Sequence, residues 1–301
     1  MARLYTPQMA KFDKRRKNKK QKQATLFSEA WKRLKKNKLA MVGLVILAVI
    51  IFLGIFATVI TPYDYIEQDV TERLQGFSLT HLFGTDNLGR DLFTRCIYGV
   101  RISLPVGILS VIFAAIIGGI FGAVASFVGG KVDMVIMRFM DIFQSIPALL
   151  MAITLAAALG AGFFNLILAL SISSMPLYAR IIRGQLLTVR HKEYVEASRA
   201  IGASSLRQIL RHMIPNCLGP IVVQMTFGVA GCILMAATMS YIGLGISPPT
   251  PEWGAMLNAG KVYIQSYPHM LIAPGIMICL TVLSINLFGD GVRDALDPRV
   301  K

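Results

Sequence analysis

The sequence predicts an all-α membrane protein with six transmembrane helices and both termini in the cytoplasm. Of its 301 residues, 54% are hydrophobic and only 16% are charged. The charges are clustered between long uncharged stretches instead of being spread along amphipathic periods. Long segments without charge are typical of helices that cross a bilayer, so we expect the chain to be embedded in a membrane.

Five uncharged stretches determine the number of predicted spans. A hydrocarbon core about 30 Å thick needs roughly 20 helical residues. The third stretch is long enough for two helices, with a tight turn at 159–162. The fourth ends in a Gly- and Pro-rich segment, 243–251, which leaves one helix over 220–242. The stretches are 39–61, 102–130, 142–179, 213–251 and 270–289.

The N-terminal segment, 1–38, is strongly basic. It holds 14 of the 31 Lys and Arg residues, 8 of them within 11–22. We interpret it as a cytoplasmic tail that sets the topology and contacts anionic membrane lipid. Nucleic-acid binding is not expected, because no aromatic side chains are interleaved for base stacking. The first span and an external loop then occupy 39–101.

The distribution of charge between the spans agrees with six crossings. Segment 62–101, predicted outside, has 4 basic and 6 acidic residues, whereas segment 180–211, predicted inside, has 7 basic and 2 acidic residues. Segment 131–141 is also predicted inside, as a loop. A five-helix core follows over 102–289. Because six is an even number of spans, the C-terminal tail, 290–301, is predicted on the same side as the N-terminus, in the cytoplasm.

A charged island, KEYVEASRAIGASSLRQILRHMIP, separates the fourth and fifth spans at 192–215. Its pattern predicts two short helices that meet at an angle, with Gly202 ending the first. Ser205 and Gln208 have the spacing of a capping box at the start of the second. Pro215 either ends that helix or opens the next span. The residues expected on the apolar sides are Tyr194, Ala197, Ser198 and Ile201, then Leu206, Ile209, Leu210 and Met213.

Two interpretations of the island remain open from its residues alone. Small residues near the corner would let a partner protein approach the backbone closely, with Glu196 and Arg199 as polar anchors. Alternatively, the island is an interfacial helix that only connects two spans, and Glu196 and Arg199 form an i,i+3 pair.

The sequence does not predict a catalytic or metal site. The four histidines and four cysteines lack ligand spacings, and each histidine is expected near a span boundary where its ring can reach water. No G-x4-G-K-[ST] phosphate loop is present, so any ATP hydrolysis would require a separate protein. The spans carry no acid or base at mid-depth, and this absence argues against the hypothesis of proton- or sodium-coupled transport.

The island resembles the cytoplasmic E-A-A-x3-G-x9-I-x-L-P signature of bacterial binding-protein-dependent ABC importer permeases. Glu196, Ala197, Gly202 and Pro215 match its spacing. The sequence departs from the signature at Ser198, His212 and Ile214. Nearly the whole chain is similar to the C-type permeases of dipeptide, oligopeptide and nickel systems, with motifs at 83–95, 242–257 and 289–299.

The resemblance implies a type I ABC importer permease fold in the bacterial inner membrane and transport of peptides or a similar small solute. It implies a homologous second permease, two cytosolic ATPases that bind ATP and magnesium, and an extracytoplasmic substrate-binding protein. No cofactor is expected on this chain. The coupling segment would lie within 184–216, and the residues expected to contact the ATPase are Glu193, Tyr194, Glu196, Ala197, Ser198, Arg199, Gly202 and Ala203.

A translocation-path role is a weaker expectation for Asp141, Gln144, Ser145 and Pro147, which lie at the start of the third span. The competing interpretation is a solvated loop followed by a proline that begins a helix. Two other functions also remain alternatives. One is a partner-independent channel or secondary carrier, and the other is a membrane-tethered scaffold whose basic tail recruits anionic partners.

Two external features have structural interpretations. Asp86, Arg90 and Asp91 are expected to form a salt-bridged corner, with contact to the binding protein as the alternative. Segment 248–268 contains Trp253, Tyr263 and Tyr267. We expect it to lie at the lipid interface as an aromatic anchor rather than to roof the path.

Overall fold

Helices account for most of residues 31–296, the part of the chain that the computed structural model describes. Most of the predicted N-terminal tail and the last residues of the C-terminal tail lie outside this range. Residues 31–36 are also helical, and short helical turns occur at Ala57–Ile60, Val70–Glu72 and Lys261–Tyr263. The main helices are α1 Lys38–Ile55, α2 Leu92–Val128, α3 Gly130–Gln144, α4 Ala148–Leu159, α5 Phe163–Arg190, α6 Glu193–Ala200, α7 Ser205–Tyr241, α8 Trp253–Gly260 and α9 His269–Leu296.

The structure has five candidate spans, and the predicted count of six is reached when one bent pair of helices is counted as a further span. Helices α1, α2, α5, α7 and α9 are each long and apolar enough to span a bilayer, whereas α3 and α4 are bent by 82°. The end of α2, which leads into α3, lies beside the end of α5, because the Arg190 guanidinium of α5 donates to the Ser126 carbonyl of α2 at 2.8 Å. The end of α4 lies beside the beginning of α5, where the Asn165 amide of α5 donates to the Leu159 carbonyl of α4 at 2.8 Å. The pair therefore joins the two ends of the bundle and makes one crossing.

The break between α3 and α4 has a local cause. Pro147 has no backbone N–H and restricts the residue before it, so α3 ends at Gln144 and α4 begins at Ala148. The loop predicted at 131–141 is wrong, because this segment is helical within α3. The predicted turn at 159–162 is confirmed, since Gly160 ends α4 with a φ of 83°.

Helix α2 begins ten residues before the uncharged stretch that predicted it. Arg95 and Arg101 lie inside the helix because distant backbone carbonyls accept their N–H groups. Arg95 donates to Tyr65 at 2.8 Å, and Arg101 donates to Gly54 at 2.6 Å. The start of an uncharged stretch therefore does not mark the start of a helix where an arginine is hydrogen-bonded to another segment.

Glycines let the helices of the bundle approach closely. A Cβ at Gly118 would lie 2.5 Å from the Met175 carbonyl oxygen, so no larger residue fits where α2 crosses α5. Gly43 has the same role where α1 meets α9, with the Ser284 carbonyl oxygen 2.7 Å from an added Cβ. These contacts bring the first and last described helices side by side.

The corner formed by Asp86, Arg90 and Asp91 is salt-bridged, as predicted. The Arg90 guanidinium lies 2.7 Å from the Asp86 carboxylate, and both side chains are buried. Asp91 caps α2 through the Thr94 N–H at 2.7 Å and contacts the His81 ring at 3.0 Å. His81 is only 3% exposed and His269 only 5%, so the expectation that each histidine reaches water is wrong for these two residues.

Trp253 is buried, which contradicts its expected role as a lipid-interface anchor. Its side chain has no exposed surface, and the indole N–H donates to the Cys96 carbonyl at 2.9 Å. Glu252 is also buried and accepts the N–H groups of Gly254 and Ala255, which begins α8. Burial raises the pKa of the Glu252 carboxyl above its ordinary value. The first part of the segment thus packs into the bundle, whereas Val262 and Ile264 in its later part are exposed.

Candidate functional site

The charged island lies between α5 and α7 and begins with helix α6. Glu193 and Glu196 occupy the first turn of α6, where carboxylates interact favourably with the positive end of the helix dipole. The Lys192 carbonyl accepts the N–H groups of Val195 at 2.8 Å and Glu196 at 3.2 Å. The first of the two predicted short helices is therefore present.

Gly202 ends α6, as the sequence predicted. It adopts a φ of +75°, and its N–H donates to the Arg199 carbonyl at 3.0 Å. The next N–H, from Ala203, reaches the Ser198 carbonyl at 3.1 Å. This pair of hydrogen bonds is the Schellman arrangement, in which a residue with positive φ closes a helix.

The start of α7 differs from the predicted capping box. Ser204, not Ser205, precedes the helix, and its side chain makes no capping hydrogen bond. The Gln208 amide instead donates to the Ala203 carbonyl at 2.7 Å. Helix α7 then contains a π-helical turn over Ile209–Met213 and continues past Pro215. The second predicted short helix is therefore not separate but forms the first turns of α7, and Pro215 lies within this continuous helix instead of ending it.

Helix α6 has a buried side and an outward side. Val195 and Ser198 are 4% exposed, and Val195 packs in one cluster with Leu186 of α5 and Met213 of α7. Of the predicted apolar stripe, only Ser198 faces inward. Tyr194 is 40% exposed and Ile201 is 84% exposed.

The site residues predicted from the sequence thus fall into two groups. Ser198 is buried, and its hydroxyl has no hydrogen-bond partner among residues 31–296, so its side chain is not part of the outward surface. Ala203 is half-buried. The predicted residues on the outward side are Glu193, Tyr194, Glu196, Ala197, Arg199 and Gly202.

One residue of this site was missed by sequence reasoning, and another was placed on the wrong side. Val195, which was not predicted, anchors α6 to the bundle, whereas Ile201, expected on the apolar side, is a large apolar residue at the exposed tip of the helix. The i,i+3 spacing of Val195 and Ser198 is a signal for the buried side, but Tyr194 and Ala197 give an equally regular stripe. Within the described range, no ion pair joins Glu196 to Arg199.

The residues considered for the translocation path lie together at the break between α3 and α4. Asp141, Gln144, Ser145 and Pro147 are all exposed on this chain. Asp141 lies 2.8 Å from the guanidinium of Arg180 on α5. The structure thus places these residues at a bend, on a surface that this chain does not cover.

A second ion pair joins the same two helices closer to the island. The Arg183 guanidinium donates twice to the Asp133 carboxylate, at 2.5 Å each, which is a bidentate arrangement. Among residues 31–296, no group of three or more His, Cys, Asp and Glu side chains is arranged to hold a metal ion.

Two family models match the sequence. The model of binding-protein-dependent transport system inner membrane components matches residues 86–301. The model of the N-terminal transmembrane domain of oligopeptide transport permease C matches residues 25–76.

Curated relatives resemble the chain over most of its length. The dipeptide transport system permease protein DppC of Alkalihalophilus pseudofirmus is 45% identical over 91% of this chain and 90% of its own. The oligopeptide transport system permease protein OppC of Bacillus subtilis is 41% identical over 93% and 92%. The glutathione transport system permease protein GsiD of Escherichia coli is 41% identical over 92% of both chains.

Solved structures with a similar fold include inward-facing forms of the MetNI methionine ABC transporter. One of its chains has a TM-score of 0.57 and 20% identity over 68% of this chain and 98% of its own. At that identity the comparison establishes the fold alone. Together with the matches in sequence and the five to six apolar candidate spans, it leads to one conclusion: the chain belongs to the family of binding-protein-dependent transport system inner membrane components and is a multi-pass permease subunit of an ABC importer.

Proposed function

We propose that this chain forms half of the translocation pathway of an ATP-driven importer of small peptides. The curated relatives described above are permeases for dipeptides, oligopeptides and glutathione, and a further relative from Pseudomonas aeruginosa is a di/tripeptide permease. All of these cargoes contain peptide bonds. A peptide is therefore the cargo class that the relatives support best, ahead of a nickel complex.

The observation that carries the coupling role is the two-sided packing of α6. Its inner residue, Val195, packs against both α5 and α7, whereas Ile201 and Tyr194 face outward without cover from this chain. A force applied to the outward side would reach two membrane helices through a close-packed cluster. Leu206 and Leu210, at the start of α7, are exposed as well as Ile201, and several exposed apolar side chains in one segment favour a protein partner over a solvated connector.

The proposed mechanism is alternating access driven in trans. Two cytosolic ATPases bind ATP and magnesium, and the cleft of one of them receives the outward side of α6. Closure of the ATPase pair moves α5 and α7, and a homologous second permease covers the exposed surface at the α3–α4 break. An extracytoplasmic binding protein delivers the cargo, and this chain contributes no catalytic group.

The experiment compares Glu196→Arg and Ile201→Asp with Glu67→Arg, a matched change of an exposed acid in the external loop. The full importer is reconstituted in liposomes, and peptide uptake and cargo-stimulated ATP hydrolysis are measured together. We expect both α6 variants to lose uptake and stimulation while the chain still inserts, and the Glu67 variant to retain cargo-stimulated ATP hydrolysis. Normal uptake and stimulation in both α6 variants would refute the coupling role.

The alternative of a partner-independent channel or carrier is tested with the purified chain alone. We expect no peptide flux into liposomes under a proton or sodium gradient when the ATPases are absent. Flux at the rate of the full importer would overturn the proposal.

A further inference from the structure

A basic cluster surrounds the point where the described chain meets the bilayer. Five of the eight residues at 31–38 are Lys or Arg, and none is acidic. The side chains of Lys32, Lys35, Lys36 and Lys38 are exposed. Such a cluster beside a transmembrane helix attracts the anionic headgroups of a lipid leaflet.

The helix at 31–36 is held in place by the end of the bundle. Leu34 is only 5% exposed and packs with Ala40 of α1 and Ala295 of α9. Gly291 lies directly under this contact, where a Cβ would be 2.9 Å from the Leu34 side chain. Leu34 thus packs the basic helix at 31–36 against both α1 and α9.

The joint between this helix and α1 is also fixed. Asn37 has an extended backbone, and its side-chain oxygen accepts the Ala40 N–H at 3.2 Å. Its amide group donates to the Asp294 carboxylate at 3.3 Å. Asp294 is therefore engaged at the joint, and Asp290 is the other acid at this end of α9. The two acids leave the cluster with an excess of positive charge.

The length of α1 places the cluster at headgroup depth. Its 18 residues extend about 27 Å, close to the thickness of the hydrocarbon core, and Lys38 is its first residue. Trp31 is 46% exposed, and the Lys35 ammonium lies 5.3 Å from the centre of its ring. An aromatic ring beside an ammonium group is suited to the boundary between acyl chains and headgroups.

We propose that Lys32, Lys35, Lys36 and Lys38, together with Trp31, form a binding site for an anionic phospholipid. The phosphate of the headgroup lies among the ammonium groups, and the acyl chains lie along the exposed side of α1 and the Trp31 ring. The site goes beyond the proposed transport function and does not depend on the identity of the cargo or on the ATPases.

The test uses the two tryptophans of the full chain as reporters. The chain is placed in nanodiscs of phosphatidylcholine containing a small fraction of brominated lipid, either phosphatidylglycerol or phosphatidylcholine. We expect brominated phosphatidylglycerol to quench Trp31 several-fold more than brominated phosphatidylcholine at the same mole fraction. Trp253 is fully buried, so its blue-shifted emission also reports that each variant is folded.

Two triple variants separate a local site from diffuse charge attraction. The combination Lys32→Gln, Lys35→Gln and Lys36→Gln removes three charges from the site and should abolish the preference for phosphatidylglycerol. The combination Lys14→Gln, Arg15→Gln and Lys17→Gln removes three charges from the rest of the N-terminal segment and should lower the preference much less than the first combination does.

Three results would overturn the proposal. The first is equal quenching by the two brominated lipids. The second is an equal loss of preference in both triple variants. The third is an unchanged preference in the first variant, accompanied by loss of the ATPases from the purified importer. The last result would assign the cluster to a protein partner.

Discussion

The indole nitrogen of Trp253 lies 2.9 Å from the carbonyl oxygen of Cys96 and so connects α8 to α2 at the outer end of the bundle. The contact requires close approach on both sides. A Cβ at Gly99 would lie 2.6 Å from the indole nitrogen, and a Cβ at Gly254 would overlap the backbone of Ala237 on α7. Helix α8 therefore fills a space bounded by other helices and contributes to their spacing.

Gly254→Ala should destabilise the protein by about 1 to 3 kcal/mol, because the added methyl group has no space beside the Ala237 backbone. Gly275→Ala is the matched control, since nothing lies within 4 Å of its added Cβ and alanine favours a helix. Thermal unfolding in detergent measures both variants. Equal melting temperatures for the two would contradict the tight packing of α8.

The external loop should loosen as the pH rises. Burial alone lowers the pKa of His81, but hydrogen bonds and charge interactions with Asp91 and Glu72 outweigh burial, so the pKa lies above the ordinary value of about 6.5. Tyr63 stacks on the ring without adding charge. The protonated ring therefore stabilises the loop fully below about pH 6.5, and this stabilisation is lost as the pH rises through the raised pKa.

Limited trypsin cleavage after Arg73, an exposed residue beside Glu72, measures this loosening. Cleavage of the native chain should increase between pH 6 and pH 9 relative to His81→Gln, which cannot be protonated. The variant corrects for the pH dependence of trypsin itself. A constant ratio between the two chains across this range would show that His81 does not hold the loop.

The two ion pairs between α3 and α5 should differ in their contribution to stability. The Asp133–Arg183 pair is bidentate and mostly shielded, whereas the side chains of Asp141 and Arg180 are about half exposed. Asp133→Asn should lower the free energy of unfolding by on the order of 1 kcal/mol or more, and Asp141→Asn should lower it by less than about 0.5 kcal/mol. Melting temperatures at low and high salt provide the comparison, and a larger loss for Asp141→Asn would reverse the assignment.

Gly202→Val should impair coupling more than Gly202→Asn. The φ of +75° is unfavourable for a β-branched residue, whereas asparagine adopts it more readily. Nothing lies within 4 Å of the added Cβ, so the effect is one of backbone conformation and not of packing. The measurement is the ratio of peptide uptake to ATP hydrolysis in the reconstituted importer. Identical ratios for the two variants would show that the turn is not required.

The positions of spans and turns were largely predictable because they follow from local chemistry. Uncharged stretches indicated the crossings, and the pattern around Gly202 predicted where α6 ends. The early start of α2 was not predictable, because Arg95 and Arg101 find their partners at Tyr65 and Gly54, far away in the sequence.

The sequence by itself determined that this chain crosses a membrane several times, because the free energy of burying apolar side chains in lipid depends mainly on composition and length. Its motifs, which lie in the island and in the segments beside the spans, also indicated the family. Only the tertiary structure decided that Val195 and Ser198 form the buried side of α6 and that Trp253 is buried instead of lying on lipid. Helical periodicity permits several faces, and the choice among them depends on neighbouring helices that local sequence does not specify.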